Sequence, residues 1–293
     1  MPTPLFGTME KTPASAGLLV DERGGLRFEA QSQWRVLMLV AFFTGGLGAG
    51  VYVASWALNF VPGMILGLFL VAVVKGGAHI AYLGRPERCW RALKRPRTSW
   101  ISRGLIGMAI YVVCGTLYVI FRLPPLGWVS VAAAVVVMSY AGYLMAFSPA
   151  IPFWNSSLLP VLFLVFSAES GTALAIPLYA TFTRGVIQPL EMVETLLLVL
   201  VGMIVFSYLY GAYHSSLSAR ESVLLLMRGS LGALFFIGVV LFGFVVPLTL
   251  AFLNGAGTAS LVSMWLAAFL VIQGALSFRW VILRAGVYAP PRY

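Results

Sequence analysis

The chain has 293 residues, of which 60% are hydrophobic and only 10% charged, whereas a soluble domain devotes roughly a quarter of its residues to charge. So few charges cannot surface a water-soluble fold, and the formal net charge of +10 is gathered in loops and chain ends, so that no nucleic-acid partner is expected. Two cysteines (Cys89, Cys114) and two histidines (His79, His214) are too few thiolates for a four-cysteine iron–sulfur cluster and too scattered for a structural zinc site.

The first 30 or so residues are polar, rich in Pro, Gly and Ser, and lack an apolar core. No cleavable signal peptide is evident, and residues 1–32 are expected to form a flexible arm or a segment docked on another subunit. Eight apolar runs follow. They cover Trp34 to Ala57, Val61 to Tyr82, Gly104 to Phe121, Leu126 to Phe147, Ser156 to Leu178, Met192 to Tyr213, Ser230 to Leu253 and Ser260 to Leu283. Each is near the ~20 residues a helix needs to cross ~30 Å of hydrocarbon. Helices satisfy their backbone polar groups internally, and the short alternating stretches of a membrane β-barrel are missing. The fold class is therefore all-α and polytopic, with Arg122-Leu-Pro-Pro-Leu126 and Asn254-Gly-Ala-Gly257 as turns between spans.

An even number of spans returns both termini to one side. That side takes four Lys or Arg up to Arg35, seven from Arg85 to Arg103, two in the Arg220–Arg228 loop and three at the carboxyl end. The opposite loops keep Arg122 and Arg184, and Lys75 falls within a span. The positive-inside rule then makes the termini side cytoplasmic, unless the seven cations of one loop are a docking face and bias the count. Glycines cluster at Gly45, Gly46, Gly48 and Gly50, and at Gly104 and Gly107. Their ordinary use is close helix packing in lipid.

Three stretches, in order, resemble the NrfD/polysulfide-reductase family of membrane subunits. They are Phe43-Thr-Gly-Gly-Leu-Gly-Ala-Gly50; Tyr82-Leu-Gly-Arg-Pro-Glu-Arg-Cys-Trp90 with Ser99-Trp-Ile-Ser-Arg103; and Ser139-Tyr140-Ala-Gly142 with Ile151-Pro-Phe-Trp-Asn155 and Leu159-Pro-Val-Leu-Phe-Leu-Val-Phe-Ser-Ala168. The ending Arg284-Ala-Gly-Val-Tyr288 suits it too, so the resemblance spans about residues 33–288, with 289–293 as a tail. It implies two four-helix bundles side by side and a haem-free anchor in the prokaryotic cytoplasmic (inner) membrane. Such an anchor binds exchangeable menaquinone or ubiquinone and trades electrons with a ferredoxin-like iron–sulfur subunit, which usually serves a molybdopterin-type catalytic subunit. No haem or iron–sulfur cluster is expected in this chain.

A quinone site needs hydrogen-bond donors for the carbonyl oxygens, a proton route and an apolar slot, so polar residues inside the spans are the candidates. Tyr140 matches the family's quinone-site tyrosine, and Tyr143 lies three residues on. His79 is about one turn from the rim end of the second span; Lys75, four residues earlier, shares its face, with Tyr82 nearby. Plainer roles exist: a histidine tied to a backbone carbonyl, a snorkelling lysine, a packing tyrosine. Some relatives carry Asn and His in the first span, where Leu37 and Ala41 stand here, so Gln33, Trp34 or His79 would complete the pocket. Glu169, mid-span, is expected to be neutral or paired with Lys75 or Arg103, as a proton-relay member or a structural hydrogen bond. Glu194 and Arg184 are taken as interface residues. Arg85, Arg88, Arg91, Lys94, Arg95 and Arg97, with Trp90 and Trp100, form a partner-docking face or a plain topology signal. Two other functions remain open: a haem-b anchor ligated by His79 and His214, and a small-solute transporter with Pro160 and Pro247 interrupting spans.

Overall fold

The computed structural model describes residues 29–183, 188–253 and 260–289. The arm before residue 29, Arg184, the turn at Asn254–Gly257 and residues 290–293 lie outside the described residues. Eight helices are long and apolar enough to span a bilayer: α1 (Val36–Ala57), α2 (Val61–Tyr82), α3 (Trp100–Phe121), α4 (Pro124–Ala146), α5 (Leu158–Thr183), α6 (Gln188–Ser215), α8 (Leu234–Leu253) and α9 (Leu261–Ala285). The protein is a multi-pass integral membrane protein, and no strand forms among the described residues. The third span begins at Trp100 rather than Gly104, because Ser99 caps it by accepting a hydrogen bond from the Ser102 amide at 3.4 Å. The Arg220–Arg228 loop is itself largely helical: Ser216 caps α7 (Leu217–Met227), a polar-charged turn too short to span.

Helices α1 to α4 pack as one bundle and α5, α6, α8 and α9 as another, with the α1–α5 contact as the seam. That seam is tight because glycines face each other across it. A Cβ at Gly171 of α5 would land in the backbone of Gly50 of α1, and Gly243 and Gly274 play the same part between α8 and α9. In lipid, where no hydrophobic force drives helices together, such backbone approach gives the van der Waals contact that does. Two spans depart from α geometry. Helix α2 widens to π turns at Leu70–Lys75, and α8 does so over Leu234–Val245, immediately before Pro247. Pro247 therefore follows a widened stretch of a continuing helix, and Pro160 sits in the first turn of α5; neither breaks its span.

The rim that carries both termini is stitched by the chain ends. Gln31 N–H donates to the Gly286 carbonyl (2.7 Å), Tyr288 N–H to Glu29 (2.9 Å) and Ala289 N–H to Ala150 (2.8 Å). The Gln31 side chain, buried, donates to the Leu283 carbonyl at 2.6 Å and accepts from the Trp34 amide at 2.9 Å. On the opposite face two residues with positive φ, Asn59 and Arg122, close the turns and join through Arg122 Nη1 to Asn59 Oδ1 at 3.0 Å. One count needs correcting: Arg279, counted with the carboxyl-end cations of the rim, is not on it. It lies two turns inside α9 and is 1% exposed.

The glycine seam yields a direct test. Gly171→Leu should lower the melting temperature of the detergent-purified protein markedly, since overpacking costs about 1–3 kcal/mol or more. Gly77→Ala, with nothing near its added methyl, should leave it unchanged in the same thermal-shift measurement.

Candidate functional site

Tyr140 lies six residues from the rim end of α4, about 9 Å down the span. Its ring sits against Gly104 of α3, which has no side chain to displace it, and meets Phe42 of α1 edge-on at 6.5 Å. From α2, Lys75 reaches over the same ring, Nζ 5.0 Å from the centroid. Lys75 is 4% exposed; it does not snorkel outward. Its head group makes one long hydrogen bond, 3.5 Å to the Ala41 carbonyl, and lies on Gly45, whose missing side chain leaves the room. The backbone of α1 at Ala41 is thus met by a cation arriving from α2.

His79 stands one turn nearer the rim, its Nδ1 3.1 Å from the Lys75 carbonyl, with Nε2 free. Tyr140 is 6% exposed, yet its hydroxyl makes no hydrogen bond among the described residues. Three polar side chains are therefore gathered here: the Tyr140 hydroxyl and the Lys75 ammonium as donors, and the His79 ring, whose Nδ1–H is spent on the Lys75 carbonyl, with Nε2 as an acceptor. Trp34 joins the patch through rings. It stacks on Trp154 (5.1 Å) and meets Phe42 edge-on (5.8 Å), so a continuous aromatic wall runs from the α4–α5 loop to Tyr140. Tyr143, one turn nearer the rim on α4, stacks flat on Trp100 of α3 at 4.1 Å, above the Tyr140–Gly104 contact of the same two helices. Tyr82 and Gln33 are exposed at the rim.

Behind α1, on the α5–α9 side, lies a second polar group that the sequence only half revealed. Gly46 turns its bare face to the Ser167 hydroxyl and the Arg279 guanidinium. Arg279 donates from Nη2 to Ser167 Oγ (3.0 Å) and from Nη1 to the Ala275 carbonyl (3.1 Å), leaving Nε without a partner. Glu169, two residues beyond Ser167 and 1% exposed, has neither carboxyl oxygen hydrogen-bonded. The partners expected for it are wrong. Lys75 is held at Ala41, and Arg103 is folded onto its own loop, donating to the Pro96 (2.9 Å) and Arg97 (2.7 Å) carbonyls. The buried cation of this region is Arg279, and Glu194 of α6 is half-buried. Arg279 was hidden because one arginine before Arg284 looks like the ordinary cationic end of a last span; its seat on the buried face of α9, beside Ala275 and Phe278, is the signal that separates the two.

The basic loop forms one short 3₁₀ turn, Pro86–Leu93, and then α3. All six predicted docking cations are exposed on it. The described ion pair there is Arg88 with Glu87 at 4.0 Å.

Removing the hydroxyl of Ser167 should expose the worth of the Arg279 anchorage. Ser167→Ala is expected to destabilise the folded protein by about 1.5–3 kcal/mol, the range for a hydrogen bond to a charged group. Ser170→Ala, whose hydroxyl bonds its own helix at Phe166, should cost less than about 1 kcal/mol; equal losses in detergent unfolding would deny the anchorage.

Comparison with known proteins follows the same residues. The family model described as "Polysulphide reductase, NrfD" matches residues 27–291. The C component of polysulfide reductase from Wolinella succinogenes is 24% identical over 86% of this chain and 94% of its own length. The C component of selenate reductase from Mesobacillus selenatarsenatis is 27% identical over 56% of this chain and 40% of its own.

Proposed function

Since the chain belongs to the NrfD, polysulphide reductase family, and is thereby the membrane anchor subunit of a reductase complex, we propose that it exchanges electrons and protons between membrane menaquinone or ubiquinone and a ferredoxin-like iron–sulfur subunit at its basic rim. A molybdopterin-type catalytic subunit would complete the complex. The reading rests chiefly on one observation: the Lys75 ammonium lies over the Tyr140 ring, with His79 one turn nearer the rim on the same helix, beside an aromatic wall.

The residues present fit such a carrier. A quinone brings two carbonyl oxygens that take up two electrons and two protons. The Tyr140 hydroxyl and Lys75 ammonium offer hydrogen bonds to such oxygens, and the phenol ring with Phe42 and Trp34 offers an apolar flank to the head group. His79, nearer the rim and tied by Nδ1 to the Lys75 carbonyl, has Nε2 available to carry protons between rim water and Lys75. Arg279 stands behind Gly46, across α1 from Lys75; Glu169, buried two residues beyond Ser167 in α5, would be the acidic member of a proton route leading deeper. Arg85, Arg88, Arg91, Lys94, Arg95 and Arg97 supply positive charge to attract an acidic iron–sulfur partner to the pocket's side of the membrane. The haem-b alternative loses ground because His79 and His214 belong to α2 and α6, which pack in different bundles.

In the assembled complex, Tyr140→Phe and His79→Ala should each lower quinone-coupled electron transfer by about tenfold, the effect of one ~1.4 kcal/mol hydrogen bond. Co-purification of the partner subunits should be unchanged, and Arg122→Gln on the far face should behave as wild type. Wild-type turnover in both site variants would remove these residues from the pocket.

The cations gathered at the rim support a reading in which the termini lie on the cytoplasmic side of the inner membrane. A cysteine at the exposed position Ser32, in a Cys89→Ser background, is expected to resist a membrane-impermeant maleimide on intact cells and to react after permeabilisation. Ready labelling from outside would reverse the orientation.

A further inference from the structure

The loop between α2 and α3 is more than a string of cations. Between its 3₁₀ turn and the start of α3 it encloses a crevice of about 460 Å³, lined by Arg91, Lys94, Arg95, Ser99, Ile101 and Ser102. The crevice is preformed by hydrogen bonds of its frame. The Ser102 hydroxyl donates to the Ala92 carbonyl, and Arg103 clamps the Pro96 and Arg97 carbonyls at 2.9 and 2.7 Å. The cations at its mouth are left over from these duties. None of Arg91, Lys94 and Arg95 has an acidic partner among the described residues; the loop's acid, Glu87, lies against Arg88. Lys94 and Arg91 instead rest over the Trp90 ring, 4.4 and 5.8 Å from its centroid.

The setting adds a second, apolar element. The apolar span begins at Trp100, so the crevice opens at the level where the hydrocarbon core gives way to headgroups. Ile101, on its wall, is 49% exposed, and Trp90 and Leu93 beside it are 52% and 45% exposed. Three uncompensated positive charges over a hollow, with an exposed isoleucine leading down the span, match an amphiphile with an anionic head. We infer that the crevice binds the phosphate headgroup of an anionic phospholipid, with an acyl chain descending along the Ile101 face of α3. Basic pockets at the cytoplasmic ends of spans recognise such headgroups through charge and phosphate hydrogen bonding. An acidic protein surface would need to be convex to enter the hollow and would gain nothing from Ile101 at membrane depth. All six cations of the loop contribute to the long-range positive field of the rim, but Arg91, Lys94 and Arg95 line the hollow, and Arg85, Arg88 and Arg97 are left for close contact with a protein partner.

The test uses the full-length protein in detergent micelles, titrated with phosphatidylglycerol, phosphatidylcholine or inorganic phosphate, with bound lipid read by native mass spectrometry. Phosphatidylglycerol should bind in preference to phosphatidylcholine by on the order of tenfold, and millimolar phosphate should neither bind nor displace it. The triple change Arg91→Gln, Lys94→Gln, Arg95→Gln should abolish the preference, while Arg85→Gln, Arg88→Gln, Arg97→Gln should keep it. Should the triple variant fold poorly, Lys94→Gln and Arg95→Gln alone should each reduce the preference about threefold. Equal binding of the two lipids to the wild type, or a preference that survives the crevice changes, overturns the inference. It is likewise overturned if inorganic phosphate competes as well as the lipid, which marks a free-anion site, or if the crevice changes release a partner subunit and leave lipid binding intact.

Discussion

Everything in this molecule is arranged around a stretch of α1 that has almost no side chains. Between Gly45 and Gly50 the helix presents bare backbone on several sides, and each bare side is used differently. Gly50 lets α5 come into backbone contact, fusing the two bundles. Gly45 receives the aliphatic stem and ammonium of Lys75, and Gly46 receives Ser167 and the Arg279 guanidinium. A charge inside a bilayer is costly unless protein surrounds it, so cations can be kept at this depth only where a neighbouring helix leaves volume for them. The glycines are the reason that two cations from different bundles stand on either side of one helix wall.

This arrangement separates the two polar groups. On the α2–α4 side the Tyr140 phenol, the Lys75 ammonium and the His79 ring gather under the rim. On the α5–α9 side Arg279 and the unbonded carboxyl of Glu169 are more deeply enclosed. Lys75 rests against Gly45 and Arg279 against Gly46, so adjacent bare faces of α1 serve two separate polar groups.

The number of spans, their order and the packing role of the glycines could be read from the sequence because bilayer thickness and hydropathy leave little choice. The grouping of Lys75 with His79 followed from helical spacing alone. Other features could not be read that way. The partners of Glu169 depend on which face of α9 is buried, and nothing local marks Arg279 as interior when Arg284 and the chain end carry cations nearby. The neighbour of Tyr143 has the same origin: a three-residue offset places it near Tyr140, but its stacking on Trp100 of a neighbouring helix is set by tertiary packing. Helix α7 escaped notice because its N-terminal cap is a serine in a stretch that looks like a polar connector. In each case the deciding contact comes from outside the local pattern that a window of sequence displays.

The chain's last described residues pair with its first. Gly286, Tyr288 and Ala289 hold Gln31, Glu29 and the α4–α5 loop, while the Val287 amide donates to Ser222 Oγ of α7 at 3.1 Å. A nascent polypeptide emerging from the ribosome cannot assemble this knot until its final span has been made and inserted. The aromatic wall built on Trp34 and Trp154, which leans on it through the Ile282 and Leu283 carbonyls, therefore matures only at the end of synthesis.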